Sequence, residues 1–285
     1  MPELPDVEAF RRYFAAHATG QRIERVTAPD SDVIRNTTPQ GLGRAVKHRR
    51  FGEPRRHGKW LFATIDSDPP ANGPTVVLHF GMTGYLCWAD HDEPRHEHDR
   101  VVFVCDEGEL RVNMMRKFGG VWLASDEDEV AEITGPLGPD ASELSLQDLQ
   151  DLLAARGGGV KSALMDQELV AGIGNMVADE TLWQARLHPA RRVIDLGQAD
   201  IRALHEALRH VLEESISHGH VPRQEPWLTH ARDVDEAVCP RCETPIEKGT
   251  VASRTTTGAR VASPSPDRPK TATTTSPPNG PQDRY

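Results

Sequence analysis

The chain predicts an α+β protein of more than one domain, and three observations carry that expectation. Short apolar runs bounded by Gly, Pro, Asp and Asn fill roughly the first 133 residues, as a β-sandwich does, with a barrel as the alternative. Beyond residue 144 the apolar period changes from strand-like to helical. After residue 222 the chain becomes polar and irregular around a single CxxC pair.

Taken in order, "DVEAFRRYFAAHATG" sets Val7, Phe10, Phe14 and Ala18 at helical spacing, with Asp6 near the start and Gly20 as a stop. The runs "RIERVTA", "WLFATI", "TVVLHFGM", "RVVFVC", "ELRVNMM" and "GVWLAS" then predict strands. The acidic "SDEDEVAEITGPLGPDASE" is expected to be a linker. Four helical stretches follow: "LSLQDLQDLLAAR", "VKSALMDQELV", "NMVADETLWQARL" and "DIRALHEALRHVLEESI". In the last, Ile201, Leu204, Leu208, Val211 and Leu212 form one apolar stripe, which is core packing and not chemistry. The resulting division is 1–133 for the sandwich, 134–144 for the linker, 145–222 for the helical domain, 223–257 for a CxxC hairpin and 258–285 for a Pro/Ser/Thr-rich tail expected to be disordered.

No apolar run is long enough to span a membrane, and no signal-like apolar segment follows the charged start, so a cytoplasmic monomer is expected. Cys87 and Cys105 stand apart in strand-like runs as inert core residues, whereas Cys239 and Cys242 form the CxxC pair. The formal net charge of -10 argues against a nucleic-acid partner, but its distribution does not: residues 44–59 hold seven Lys/Arg against one Glu, and no Lys or Arg occurs in 118–155. Two solvated faces would account for the same pattern.

The terminus "MPELPDVE" carries the sharpest chemical signal. Removal of Met1 would leave Pro2 with a free secondary amine. An α-amino group titrates near 7.7 to 8.0 against about 10.4 for lysine, so it is nucleophilic near neutrality and can form an iminium with a sugar carbon. Glu3 and Asp6 then lie close enough to move protons. The alternative is an ordinary start in which Asp6 caps the helix.

These eight residues resemble the N-terminus of the formamidopyrimidine-DNA glycosylase and endonuclease VIII family, more closely its formamidopyrimidine branch. The resemblance implies an N-terminal β-sandwich with its helix, a helix-two-turn-helix domain and a C-terminal zinc-finger hairpin. It implies Pro2 as nucleophile and Glu3 as catalytic acid; the family's next carboxylate is Glu, here the shorter Asp6. "RRHGKWL" is similar to the loop carrying a catalytic lysine, here Lys59, directed at phosphate. "LHFGMTGYL" and "MMRKFGG" are similar to the segments that fill the gap left by an extruded base, which implies Met82, Arg116 and Phe118. On residue type alone, Met82 and Phe118 would be core. "KSALMDQELVAGIGNMVADE" resembles the helix-two-turn-helix, whose glycines permit close backbone approach and whose helix N-terminus offers amides to phosphate; Lys161 and Asn175 are implied as backbone contacts.

"CPRCETPIEKGTVASRTTT" resembles the first half of the family's zinc finger, with Arg254 as the phosphate clamp. Family spacing would put the second cysteine pair at Ala259 and Ala262, and neither Cys nor His occurs after Cys242. Zinc is the cofactor that the resemblance implies, and Cys239 with Cys242 is only half of its ligand set. "GARVAS" can be encoded so that one added T in front restores Trp-Cys-Pro-Arg-Cys-Gln. A single-base deletion before Gly258 would therefore explain both the missing pair and the tail, and the gene's codons test this.

The expected function is a bifunctional DNA glycosylase and abasic-site lyase of base-excision repair acting on damaged double-stranded DNA through a Pro2 Schiff base and β,δ-elimination. A catalytically impaired lesion-binding protein is the alternative, and an unrelated enzyme with an N-terminal proline base is a third. Residues 217–238 are short for the family's lesion-capping loop, so 8-oxoguanine is not the expected base; ring-opened purines and oxidised pyrimidines remain open.

Overall fold

Helix α1 (Leu4–His17) begins almost at the terminus, with Pro5 in its first turn and the Asp6 carboxylate accepting the Glu3 amide at 2.9 Å. The computed structural model describes residues 1–66, 73–234, 236–251 and 254–259. Val7, Phe14 and Ala18 enter the core of the first domain, whereas Leu4 is buried in the core of the second. One helix therefore belongs to both cores and holds the terminus between them.

The first domain is a sandwich of two four-stranded antiparallel sheets. One runs in the order β1 (Ile23–Thr27), β6 (Asp99–Cys105), β7 (Glu109–Asn113), β5 (Tyr85–Ala89). The other runs in the order β2 (Phe51–His57), β3 (Trp60–Ile65), β4 (Thr75–His79), β8 (Gly120–Ala124). Leu61, Ala63, Ile65, Val76 and Leu78 face the opposite sheet. Phe62 and Val77 face outward and are covered by Val130 of helix α3 (Glu127–Thr134). Burial on both faces is why "WLFATI" and "TVVLHF" are continuously apolar instead of alternating.

Two strands escape the sequence pattern, and both are edge strands. β2 contains Pro54 and two arginines, which an edge tolerates because its outer side makes no ladder bonds; β5 keeps Tyr85 exposed. Helix α2 (Pro39–Val46) is also unexpected: despite two glycines it starts on a Thr38 cap, buries Leu42 and Val46, and closes one end of the sandwich. The acidic stretch expected to be a linker is helical over its first half. Asp126 caps α3, and three carboxylates in the first turn match the positive end of the helix dipole. Cys105 is buried and Cys87 half-buried, and burial pushes their thiols up to about 12 and about 11, so neither is reactive.

The second domain comprises α4 (Leu146–Ala154), α5 (Val160–Met165), α6 (Asn175–Gln184) and α7 (Gln198–His218). The α7 stripe is core as expected, with Leu204, Leu208, Val211 and Leu212 buried and Ile201 packed at its edge. A short helix α8 (Leu228–Ala231) lies in the stretch expected to be irregular. The hairpin of β9 (Ile246–Val251) and β10 (Arg254–Ala259) follows it, and its pairing continues past residue 257, with Gly258 opposite Glu247 and Ala259 opposite Ile246. Of the tail expected to be disordered over 258–285, residues 258 and 259 are paired in β10, and the remainder, Ala262 included, lies outside the described residues. Among the described residues no helix is long and apolar enough to cross a membrane.

Candidate active site

Glu3 is 2% exposed, and its position follows from the turn "GIGN" ahead of α6. The Leu4 amide donates to the Gly172 carbonyl at 3.1 Å. Glu3 Oε1 and Oε2 accept the Met176 and Val177 amides at 2.9 and 3.0 Å. Gly172 has φ +108°, and a Cβ there would meet Leu4 Cδ1 at 2.6 Å; a Cβ on Gly174 would meet Glu3 Cδ at 2.2 Å. These glycines thus admit the protein's own terminus. The α6 amides expected to bind phosphate are occupied by the Glu3 carboxylate, because an intramolecular anion already sits at that dipole end. Burial raises the Glu3 pKa above its ordinary 4.5, and the nearby Lys59 charge and the two amides only partly oppose it.

Pro2 lies between two clefts. One, of about 320 Å³, is lined by Pro2, Glu3, Asp6, Thr83, His220 and Arg223. The other, of about 380 Å³, is lined by Pro2, Lys59, Trp60, His79, Gly81 and Gln167. Asp6 keeps the cap hydrogen bond to the Glu3 amide while lining the first cleft, and burial chiefly raises its pKa. Lys59 occupies the two-residue turn between β2 and β3. Burial lowers its pKa, the Glu3 carboxylate opposes that, and the Arg254 charge adds to it. His79 beside it is pushed down to about 4 by burial and Lys59, so it is neutral at neutral pH.

Met82, Arg116 and Phe118 occupy the adjoining loops β4–β5 and β7–β8. Met82 is 37% and Phe118 70% exposed, so the core assignment that residue type suggested is wrong for both. The Arg116 amide donates to Thr83 Oγ1, and its guanidinium lies 3.8 Å from the Met82 sulfur. Gly81 (φ +59°) lets the two loops touch, since a Cβ there would fall 2.4 Å from the Gly119 nitrogen.

Lys161 requires a correction. Its side chain is completely buried, 2.6 Å from Asp179 Oδ1, and Nζ donates to Thr256 Oγ1 at 2.7 Å. Its ammonium is thus buried and paired inside the protein, where it fastens α5 to α6 and β10 and is not presented at the surface. Asn175 opens α6 and donates from Nδ2 to the Thr255 carbonyl at 3.0 Å. Arg254, exposed on β10, is the hairpin cation that acts on Lys59.

Several residues of this site went unnoticed in the sequence. Asp140, in the segment between the domains, accepts the Gly58 amide at 2.7 Å and pairs with Arg56, which also reaches Glu8. This clamp ties the Lys59 turn to the second domain. Burial would raise the Asp140 pKa, but the Arg56 hydrogen bond and charge outweigh it and hold the carboxyl below its ordinary 3.8. His220 and Arg223 face Pro2 from the loop after α7. The "GPD" and "RRHGK" strings offered local cues of a turn, but none that they meet.

Cys239 is buried against Trp183 and Leu228, and Cys242 Sγ lies 3.0 Å from Thr244 Oγ1. Among the described residues no three His, Cys, Asp or Glu side chains are placed to hold a metal. Two sulfurs do not make a tetrahedral zinc site, so the described residues do not fit the metal.

Comparison with known proteins matches this geometry. The model of the formamidopyrimidine-DNA glycosylase N-terminal domain matches residues 1–121, and that of the formamidopyrimidine-DNA glycosylase H2TH domain matches residues 136–224. A formamidopyrimidine-DNA glycosylase of Herpetosiphon aurantiacus is 33% identical over 276 residues, covering 90% of this chain and 97% of that relative. One from Symbiobacterium thermophilum is 35% identical over 277 residues, covering 90% and 87%. The Lactococcus lactis formamidopyrimidine-DNA glycosylase, solved non-covalently bound to DNA containing an AP site, superposes with a TM-score of 0.81 at 27% identity, over 92% of this chain and 100% of that one. With a nearly full-length match in sequence and in fold, the chain belongs to the formamidopyrimidine-DNA glycosylase family.

Proposed function

We propose that this chain is a DNA glycosylase of base-excision repair that also cleaves the abasic strand. After loss of Met1, the Pro2 nitrogen attacks C1' of the damaged nucleotide. The glycosidic bond breaks, the base leaves with a proton, and an iminium joins Pro2 to the opened sugar. Loss of a C2' proton then expels the 3' phosphate by β-elimination, and a second elimination expels the 5' phosphate. Glu3, whose pKa burial raises above the ordinary carboxyl value, is the proton-transferring group of these steps. Lys59 and Arg254 are the cations for the flanking phosphates, and Met82, Arg116 and Phe118 fill the gap in the duplex.

The observation that carries this reading is the placement of Pro2 between two clefts, one holding Glu3 and the other Lys59, beside loops with an exposed Met and Phe. His220 and Arg223 add donors on the side where an extruded base would sit. Borohydride trapping tests it. The mature protein should become covalently linked to DNA with an oxidised base or abasic site, and Pro2→Gly should lose most of that product. Undiminished trapping by Pro2→Gly, or a mature chain that retains Met1, refutes it.

A further inference from the structure

The β9–β10 hairpin carries Arg254 toward Lys59, yet the cysteines at its base do not form a metal site. Its seat on the second domain must come from elsewhere. Three consecutive β10 residues are gripped from below. The Thr255 carbonyl accepts from Asn175 Nδ2 at 3.0 Å, Arg232 Nη2 at 3.3 Å and Lys161 Nζ at 3.4 Å. Thr256 Oγ1 accepts from Lys161 Nζ at 2.7 Å, and the Thr257 amide donates to Asp179 Oδ2 at 3.4 Å. Asp179 joins these grips, with Lys161 on one oxygen and Arg232 on the other at 2.5 Å. Lys161 and Asp179 are both 0% exposed. At the cysteine end, Arg241 stacks over Trp183 at 4.0 Å and donates to its carbonyl at 2.9 Å.

We propose that the Lys161–Asp179–Arg232 cluster, built on the buried Lys161–Asp179 pair, is a metal-independent clasp that seats β10 on α6 and thereby positions Arg254 over the catalytic cleft. Asp179, Lys161 and Arg232 are positioning residues acting through Arg254. A zinc knot would hold the far end of the hairpin; the clasp holds the strand next to Arg254 itself. Removing one member of a buried charge group leaves its partners uncompensated, so the seat is expected to loosen sharply. The docking stands on its own geometry, while its consequence for DNA rests on the function proposed above.

Two readouts on the full chain separate these. Hydrogen exchange reports the seat directly. Protection of the 255–257 amides should be unchanged by EDTA, and should fall by about tenfold or more in Arg232→Gln and Thr256→Val, variants that keep the Lys161–Asp179 pair and should keep α6 and α7 protected. Affinity for a duplex with one abasic site, measured across salt concentrations, reports the consequence. Each clasp variant should reduce the log–log salt slope by about 0.9, as Arg254→Gln does, and Arg232→Gln should add nothing to Arg254→Gln. Loss of protection in EDTA, stoichiometric zinc in the purified protein, or parental protection in both clasp variants overturns the clasp. Lost protection with an unchanged salt slope overturns the positioning of Arg254 by the clasp if Arg254→Gln lowers the slope, and refutes Arg254 as a DNA contact if Arg254→Gln leaves it unchanged too.

Discussion

At the scale of single residues, the site works by burying groups that would otherwise be ordinary. Glu3 is a carboxylate placed where water cannot reach it, with two backbone amides and Lys59 as its compensation. The folded pKa is raised, so the charged form costs the folded state more than the unfolded one. Stability from this group is therefore fully present below pH 4.5 and is lost as pH rises through the folded pKa. Glu3→Gln should abolish that alkaline loss while lowering the trapping rate by about 10²–10⁴-fold. Thermal melts and trapping rates measured across pH check both; a parental trapping rate in the variant would remove Glu3 from the chemistry. Met82 and Phe118 show the opposite economy: they are large apolar side chains left in water, which a stability criterion alone would not place there.

Among the elements, the β2–β3 hairpin carries Lys59 to the cleft beside Pro2, and the segment after α3 is its brace. Arg56 and Asp140 bury an ion pair whose second function is to take the Gly58 amide, one residue before Lys59. Asp140→Asn should keep the fold, lower stability by about 1–3 kcal/mol through the weakened Arg56 contact, and slow trapping by as much as about 10²-fold through misplacement of Lys59. Because the Asp140 pKa is held below 3.8, its stabilisation is present above that value and disappears as pH falls through the folded pKa, so the variant should lack this acid-limb loss. Guanidinium melts at several pH values, set beside trapping rates, test the pairing of the two effects. A destabilised variant with unaltered trapping would reduce the brace to packing.

For the whole molecule, the decisive feature is that α1 is shared. Leu4 anchors the second domain's core while Val7 and Phe14 anchor the first, and Pro2 and Glu3 are held at the junction. Leu4→Ala should cost about 2–5 kcal/mol and should also weaken trapping, although Leu4 lies in neither cleft beside Pro2. Denaturation with parallel activity measurements checks this, and full activity in a destabilised variant would detach the terminus from interdomain packing. Charge behaves likewise at this scale. The basic and acidic segments that look separate along the chain meet in part, since Arg55 donates to Glu127 at 2.7 Å and Arg56 is consumed by Glu8 and Asp140. Of that basic run, Lys59 is the cation that lines the cleft.

Periodicity was sufficient for the two-domain division, the α7 core stripe and the central strands, because those elements are buried over long uniform stretches and burial selects residue types in a repeating order. The strings "MPELP" and "RRHGKWL" singled out Pro2, Glu3 and Lys59, and the fold brings all three to the adjoining clefts around Pro2. Edge strands β2 and β5, helix α2 and the helical half of the acidic segment were not legible, since each buries only one to three residues and leaves no period. Nor could any string show that Asp140 braces Lys59, that the α6 amides are filled by Glu3, or that Lys161 faces inward to Asp179. Each is a meeting of groups dozens of residues apart whose charge is tolerable only once burial and partner are set together, and that pairing exists only in the folded chain.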